Sequence, residues 1–339
     1  MVNIPILKAL EYTNLMNAFI TGGTGFIGSH LADTLIDHSG WNEIKCLVRN
    51  REKWLEGKRY TRIKGDLHSI HTIEKALVDT DVIFHLAGVV KAPTQKEFDF
   101  ANVEATENLL RLAQKTGVKK LVILSSLAAC GPSNGRPRSE ADPMKPVSMY
   151  GNSKKKMEEM IQKTAGSDHS VTILRPPAVY GPREEQIFTL FKMMNKGIAP
   201  IVGDGENPKL SIIYVDDLIQ AIMKAAQQTQ NGVHTYFVSG EKIVSWNQIT
   251  DIVKIVLNKK ITPIKIKPDW VKKIAGAIET TASFFGSYPV INREKANEMV
   301  LEWTCSHQKA ETELNYKPEY SLEEGISRTL RWYKQHNWL

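Results

Sequence analysis

The segment that most constrains this chain is a glycine-rich run between an apolar stretch and an amphipathic one. It reads TGGTGFIGSHLADTLI from residue 21. Gly22 allows a tight turn, Gly25 lets a pyrophosphate approach the backbone, and Gly28 lets a helix pack close to a sheet. A strand before the run and a helix after it would bring free N–H groups of the helix N-terminus against phosphate oxygens. The run therefore predicts a strand, a turn and a helix that together bind a dinucleotide.

Apolar runs of strand length alternate with amphipathic segments of helix length through the first two-thirds of the chain. This alternation is typical of a parallel sheet with helices on both faces, so we predict an α/β, doubly wound (Rossmann) domain. A helix is predicted over 97–117, because Leu109 and Leu112 recur at helical spacing and Gly117 is suited to end it. The predicted strands span residues 15–21, 43–49, 61–65, 81–87, 119–126, 170–176 and 234–240.

The regular pattern of strands fades after about residue 180. Segments that contain proline and glycine, YGPREEQ and IVGDGENPK, lead there into a helical tail. We predict an N-terminal extension, a dinucleotide-binding domain with a returning segment, and a smaller, mostly helical C-terminal substrate lobe. Their ranges are 1–15, 16–180 with 212–240, and 181–211 with 241–339.

Composition narrows the partners that this chain can have. It carries 44 Lys and Arg against 37 Asp and Glu, a net charge of +7, but the basic clusters are scattered, so no nucleic-acid surface is expected. We find no export signal and no apolar run long enough to span a membrane. Cys46, Cys130 and Cys305 form no CxxC pair, which fits a reducing compartment. The sequence thus predicts a cytoplasmic protein without a metal site.

The end of the second predicted strand bears on the choice of dinucleotide. An NAD site usually places Asp or Glu there, whereas a 2′-phosphate requires a cation. This chain has Arg49 at that place, with Arg51 and Lys53 just beyond it, and no carboxylate before Glu52. A guanidinium over the adenine that also grips a phosphate is favourable, so we predict NADP, with NAD as the second choice. The alternative is that Arg49 only stacks on the adenine.

A tyrosine precedes a lysine by four positions in SMYGNSKKK, residues 148–156. On a helix, Tyr150 and Lys154 lie on one face, so the ammonium can approach the phenol oxygen. A free phenol has a pKa of about 10, and a nearby ammonium favours the phenolate. The pair is suited to proton transfer, although three consecutive lysines are also typical of a solvated helix face.

Six motifs, taken in order, make the chain similar to the extended short-chain dehydrogenase/reductase superfamily. They are TGGTGFIGSH, GDL (65–67), FHLAG (84–88), SSLAACG (125–131), YGNSK (150–154) and LRPPAVYGPRE (174–184). The resemblance covers roughly residues 16–335. It implies a catalytic triad of Ser126, Tyr150 and Lys154.

The resemblance also implies a role for each of these residues. Tyr150 exchanges a proton with the substrate oxygen as hydride moves to or from the nicotinamide, Lys154 holds the nicotinamide ribose, and Ser126 hydrogen-bonds the substrate oxygen. Ser125 stays an alternative to Ser126, because Cys130 replaces an aromatic residue that is usual in that motif. The cofactor-binding residues implied are Gly22, Thr24, Gly25, Phe26, Ile27, Gly28, Arg49, Asp66, Leu67, Leu86, Ala87, Gly88, Tyr150, Lys154, Pro177 and Val179.

Departures from the family's motifs bear on the reaction. Dehydratases carry carboxyl groups beside the serine, whereas two apolar residues follow Ser126, so dehydration is not expected. Nucleotide-sugar enzymes carry Asn in LRxxNVYGP and Arg in RDFIYVDD, both of which hold the diphosphate. Here these positions are Ala178 and Leu210, and Lys209 and Arg183 are the cations that could compensate in part.

We therefore expect an NADP-dependent oxidoreductase that interconverts an alcohol and a ketone or aldehyde on an apolar or amphipathic small molecule. By resemblance it is nearest to the sterol-dehydrogenase-like and dihydroflavonol-reductase-like branch. The alternatives are a nucleotide-sugar 4-epimerase with tightly bound NAD and a non-catalytic dinucleotide-sensing protein, which would not need the triad. Substrate, reaction direction and oligomeric state do not follow from the sequence, and a homodimer stays open.

One segment of the substrate lobe, residues 268–290, has three interpretations. Trp270, Ile274, Ile278 and Phe285 fall near one side of a helix, and its lysines project elsewhere. This side can pack in the core, form a lid over an apolar substrate pocket, or rest as a basic interfacial helix on an anionic membrane.

Overall fold

The computed structural model describes residues 15–284 and 293–339. The strands, in chain order, are β1 Met16–Thr21, β2 Trp41–Val48, β3 Thr61–Lys64, β4 Val82–His85, β5 Lys120–Leu124, β6 Ser170–Arg175, β7 Ala178–Tyr180, β8 Ile198–Val202, β9 Ile212–Tyr214, β10 Gly232–Phe237 and β11 Thr262–Ile266. Seven of them form one parallel sheet in the order β10-β6-β5-β4-β1-β2-β3. The predicted doubly wound sheet is confirmed, with each predicted strand found within three residues of its expected bounds.

Twelve α-helices occur in the described residues. They are α1 Phe26–Asp37, α2 Glu74–Leu77, α3 Gln95–Asp99, α4 Ala105–Thr116, α5 Met149–Thr164, α6 Gln186–Asn195, α7 Val215–Ala226, α8 Trp246–Leu257, α9 Pro268–Phe284, α10 Arg293–Met299, α11 Gln308–Leu314 and α12 Leu322–Gln335. The helix predicted over 97–117 is divided into α3 and α4 by a π-helical turn at Phe100–Glu104. It ends as predicted at Gly117, which has φ of +81°.

Apolar side chains cover both faces of the sheet, which explains why all six residues of β6 are buried. In β1, Phe19 points into a core that includes Leu109 of α4 and Ile161 of α5. Its neighbour Ile20 points into the opposite core, which includes Leu31 of α1. The alternation along the strand thus supplies two cores from one element.

The C-terminal helices join the body in two different ways. Val253 of α8 and Leu330 of α12 belong to the same core as Ile20. By contrast, α9 and α10 share a separate small cluster made of Val202, Val271, Ala275 and Ala296. Among residues 15–284 and 293–339, no helix has both the length and the apolar character needed to cross a bilayer.

Candidate active site

The glycine-rich turn lies at the carboxyl end of β1, and α1 begins directly after its N-cap residue, Gly25. Gly22 has φ of +76°, and a Cβ built on it would lie 2.6 Å from the backbone nitrogen of Ala87. A Cβ on Gly28 would collide with the carbonyl oxygen of Gly22, so the close approach that Gly28 permits is to the turn itself. The first N–H groups of α1 therefore lie beside a turn that no side chain fills, which is the geometry of a phosphate-binding site.

The predicted contacts Thr24, Phe26 and Ile27 lie in this turn and in the first turn of α1, where their side chains are half-buried. The LAG segment follows β4 on the neighbouring side. The backbone N–H of Leu86 donates to the carbonyl oxygen of Thr21 at 3.1 Å. The structure thus places LAG directly beside the glycine-rich turn.

Gly88 brings the LAG segment close to α5. A Cβ built on Gly88 would lie 3.5 Å from Nζ of Lys154 and 3.1 Å from Oδ1 of Asn102. Asn102 is buried in the π-helical turn, where its Oδ1 accepts the N–H of Val89 at 2.8 Å and its Nδ2 donates to Oγ of Ser153 at 2.9 Å. The side chain of Asn102 thus connects the loop after β4 to α5 through hydrogen bonds.

The exposed Arg49 follows the last residue of β2, with 74% of its side chain accessible. Its guanidinium lies 3.8 Å from the carboxylate of Asp66, and the buried Leu67 follows that residue. The carboxylate of Glu52 instead accepts a hydrogen bond from Arg62 at 2.7 Å. Arg49 is therefore held only loosely, at the position where the sequence predicts a contact with the dinucleotide.

The three predicted triad residues lie near the carboxyl end of β5. Helix α5 begins after Ser148, whose side chain accepts the N–H of Gly151. One turn further along, Lys154 is buried and its Nζ donates to the carbonyl oxygen of Leu124 at 2.9 Å. The Tyr150 phenol lies near the side chain of Ser126, which acts on its pKa. The expected spacing thus brings a phenol, a hydroxyl and an ammonium to one edge of the sheet.

The two candidate serines point to different places. Ser125 is buried and its hydroxyl donates to the carboxylate of Glu158. Ser126 accepts the N–H of Ala128 at 3.1 Å and contacts the Tyr150 phenol. By geometry, Ser126 is the serine that can share a substrate oxygen with Tyr150.

Burial sets the protonation states of the pair on α5. It raises the pKa of Tyr150 to about 12, and the charge of Glu298 acts in the same direction, while the hydrogen bond to Ser126 opposes both. Burial lowers the pKa of Lys154 to about 8, against the charge of Glu158. The expected lowering of the phenol pKa by the ammonium is not found, because Nζ of Lys154 is directed to Leu124. Near neutral pH the site therefore holds a phenol and, for the most part, an ammonium.

A buried ion pair behind the triad was missed in the sequence. Glu158 and Arg175 are both buried, and Nη2 of Arg175 lies 2.6 Å from Oε2 of Glu158. The available signal was the spacing, since Glu158 follows Lys154 by four positions and lies on the same face of α5. The pair links α5 to the end of β6, beside the loop that carries Ser126.

The predicted contacts Pro177 and Val179 flank Ala178 at β7. Leu210 pairs through its backbone with Val244 and Trp303. Ala178 and Leu210 are both apolar, so neither has a side chain that could bind a diphosphate.

The two cations proposed to compensate are held elsewhere. Arg183 binds the carboxylate of Asp33 at 2.7 Å and Oγ of Ser29 at 3.0 Å, both on α1. Lys209 lies 3.3 Å from Glu206. The expectation that these cations replace the usual phosphate partners is not supported.

Helix α10 of the C-terminal helical region brings two glutamates toward Met149 and Tyr150. The carboxylate of Glu294 accepts the N–H of Met149, the first residue of α5. Glu298 is close enough for its charge to act on Tyr150. Nζ of Lys295 lies 3.0 Å from Oε2 of Glu298, so this helix carries basic side chains beside its acidic ones. Within the described part of the chain, no cluster of three His, Cys, Asp or Glu residues is arranged to hold a metal ion.

Comparison with known proteins agrees with this geometry. The model of a family described as "NAD dependent epimerase/dehydratase family" matches residues 18–240. Similar in fold is the structure titled "MoeE5 in complex with UDP-glucuronic acid and NAD", with a TM-score of 0.76, 24% identity and coverage of 94% of this chain and 99% of that one.

Three similar proteins differ in what their names say they act on. An N-acetyl-α-D-glucosaminyl-diphospho-ditrans,octacis-undecaprenol 4-epimerase of Escherichia coli O157:H7 is 27% identical, over 94% of this chain and 96% of its own length. A ceramide reductase of Caulobacter vibrioides is 24% identical, over 94% and 95%. A 3-beta-hydroxysteroid dehydrogenase of Mycolicibacterium neoaurum is 23% identical, over 95% and 92%.

Proposed function

The chain belongs to the NAD dependent epimerase/dehydratase family and is an enzyme, and from this premise we propose that it is an NADP-dependent oxidoreductase. It interconverts an alcohol and a ketone or aldehyde on an apolar or amphipathic substrate. Residues 16–180 with 212–240 bind the dinucleotide in this proposal, and the remaining residues after 180 form the substrate lobe.

The triad side chains carry the proton chemistry of the proposed reaction. Because burial keeps Tyr150 protonated, its Oη is set to donate a proton to a carbonyl oxygen. The ammonium of Lys154 then offsets the negative charge left on Oη of Tyr150, and the hydroxyl of Ser126 holds the substrate oxygen as charge develops on it. The nicotinamide supplies or accepts the hydride when the dinucleotide is bound. The cradle formed by Gly22, Gly25 and Gly28 fits its pyrophosphate.

The observation that carries the choice of substrate is the absence of diphosphate partners among the described side chains at the two family positions. Ala178 and Leu210 are apolar, and Arg183 is bound to Asp33. Two relatives named for a ceramide and a hydroxysteroid favour a lipid-like alcohol or ketone.

The test supplies purified enzyme with NADPH or NADH and either long-chain and steroidal ketones in mixed micelles or UDP-sugars. Loss of reduced nicotinamide with a ketone supports the proposal. Interconversion of a sugar without net loss of cofactor would replace it with the 4-epimerase, which needs the same triad and is favoured by the name of the undecaprenol-linked relative.

The preference for NADP rests on Arg49, and we predict that Arg49→Asp weakens NADPH binding at least tenfold more than NADH binding. A charge-assisted contact to the 2′-phosphate is then replaced by repulsion. Both dissociation constants are measured by fluorescence titration. Lys334→Asp, an equal charge change at an exposed site on α12, is the control. An equal loss for both cofactors would mean that Arg49 only stacks on the adenine.

A further inference from the structure

Helix α9 exposes a row of apolar side chains. Trp270, Ile274 and Ile278 follow one another at intervals of four residues and are 58%, 47% and 39% exposed. At 100° per residue they lie within an arc of about 80° on the helix surface. Ile264 of β11, the strand that precedes α9 in the chain, is 48% exposed as well. We call these four residues the α9 face.

The α9 face is not required to fill a core. The side of the helix that packs inward is formed by Val271 and Ala275, which are 8% and 0% exposed. These small side chains already fill the cluster with Val202 and Ala296. The interpretation that Trp270, Ile274 and Ile278 pack in the core is therefore wrong, while Phe285 lies outside the described residues.

Lysines are frequent in the part of the sequence that forms this apolar surface. Between residues 259 and 280 the sequence carries six lysines against two carboxylates, those of Asp269 and Glu279. The six are exposed, and Nζ of Lys273 lies 5.3 Å from the centre of the Trp270 ring. The exposed lysines are Lys259, Lys260, Lys265, Lys267, Lys272 and Lys273. Apolar side chains with tryptophan among them and a basic border match the boundary between headgroups and acyl chains of an anionic bilayer.

The α9 face belongs to the part of the lobe that touches the candidate site. Helix α9 packs on α10 through Ala275 and Ala296. On α10, Glu294 binds the N–H of Met149, next to Tyr150. Helices α9 and α10, which pack on each other, thus lie between a bilayer bound at the α9 face and the predicted triad.

We propose that the α9 face binds the surface of a bilayer rich in anionic phospholipid and that the enzyme takes its amphipathic substrate from that bilayer. The binding of the bilayer stands on the α9 face alone, whereas the delivery of substrate rests on the proposed function.

The test is sedimentation of the enzyme with vesicles of phosphatidylcholine, with and without phosphatidylglycerol. We expect the wild type to sediment with the anionic vesicles and the double variant Trp270→Ser, Ile274→Ser to lose at least tenfold in affinity. Ile255→Ser is the matched control, because Ile255 on α8 is 78% exposed and lies outside the α9 face. Melting temperatures of all proteins should agree, so that loss of binding does not reflect unfolding.

Three results would overturn the proposal. They are equal binding to neutral and anionic vesicles, unchanged binding by the double variant, and a wild-type dimer without vesicles that the double variant converts to a monomer, which would assign the α9 face to a second copy. Turnover of a short, water-soluble ketone should be equal in the wild type and the double variant. If no ketone is turned over but anionic vesicles are bound, the proposed function fails and the bilayer contact stands.

Discussion

Helices α5 and α9 depart from the usual distribution of side chains in opposite directions. In α5, Lys154 and Glu158 are 5% and 2% exposed, although charged residues are rarely buried. In α9, Trp270 and Ile274 are 58% and 47% exposed, although large apolar residues usually form the core. Both helices are amphipathic, so the sequence pattern alone does not distinguish them.

The buried charges of α5 and the exposed apolar side chains of α9 differ in what surrounds them. The buried charges of α5 have protein partners, because Arg175 neutralises Glu158 and a carbonyl oxygen accepts from Lys154. Such partners offset the cost of removing charge from water. The exposed apolar row of α9 is bordered by lysines and contributes nothing to a core. We infer that the side chains of α5 serve both the stability of the fold and the proposed proton transfer. The α9 face would serve only to bind the proposed bilayer.

The largest expected effect is on catalysis at α5. We predict that Tyr150→Phe lowers kcat at least a thousandfold, equivalent to about 4 kcal/mol, because the proton donor is lost while the ring stays. Cofactor affinity should stay within a few-fold. Steady-state kinetics and cofactor titration measure both, and turnover above a tenth of the wild type would remove Tyr150 from the mechanism.

The second effect is on the stability of α5. Glu158→Gln leaves the buried guanidinium of Arg175 without a counter-charge, and breaking a buried pair from one side costs about 3 kcal/mol. The free energy of unfolding in urea should fall by this amount. Glu159→Gln, one position further on and 45% exposed, is the control and should change it by less than about 0.5 kcal/mol. Similar losses in both variants would mean that burial of the pair is unimportant.

The third effect concerns pH. The pKa of Lys154 is about 8 in the folded protein, below its ordinary value of 10.5. The unfolded chain therefore binds more protons than the folded one between these pH values, so the free energy of unfolding rises with pH there, by at most about 3 kcal/mol from this group. Lys154→Met removes the contribution. The difference between wild type and variant should thus change across this window, and parallel curves would contradict the buried ammonium.

The fourth effect, on the stability of α9, should be the smallest. We predict that Trp270→Ser changes the free energy of unfolding by less than about 0.5 kcal/mol, because the ring covers no core. The adjacent Val271→Ala should cost about 1 kcal/mol or more, because Val271 is buried. Thermal unfolding measures the loss of stability in each of the two variants. A larger loss for Trp270 than for Val271 would show that the ring supports the fold.

Much of the sheet and the candidate site could be predicted from local sequence. Long apolar runs define the seven strands of the sheet, and the glycines of the turn are required by backbone geometry at Gly22. The spacing of Tyr150 and Lys154 places them on one helical face wherever the helix lies. The three-residue strands β7 and β9 were not predicted, because a run that short has no period.

The rest depends on contacts between distant parts of the chain. Glu158 meets Arg175 only after β6 has packed beside α5, and Glu294 reaches Met149 across 145 residues. Burial raises the pKa of Tyr150, so the lowering of this pKa by Lys154 that the spacing predicted is not found. The exposure of Trp270 likewise depends on which other elements pack against α9.

The late position of β10 has a consequence for biosynthesis. β6 ends at Arg175, but its partner β10 begins only at Gly232, so an emerging chain completes its edge after the intervening segment has been made. Until then, six residues that are buried in the finished protein border an open edge of the sheet. Such edges are sites of intermolecular pairing during folding. The segment between β6 and β10 thus sets how long β6 stays unpaired on one side in the nascent chain.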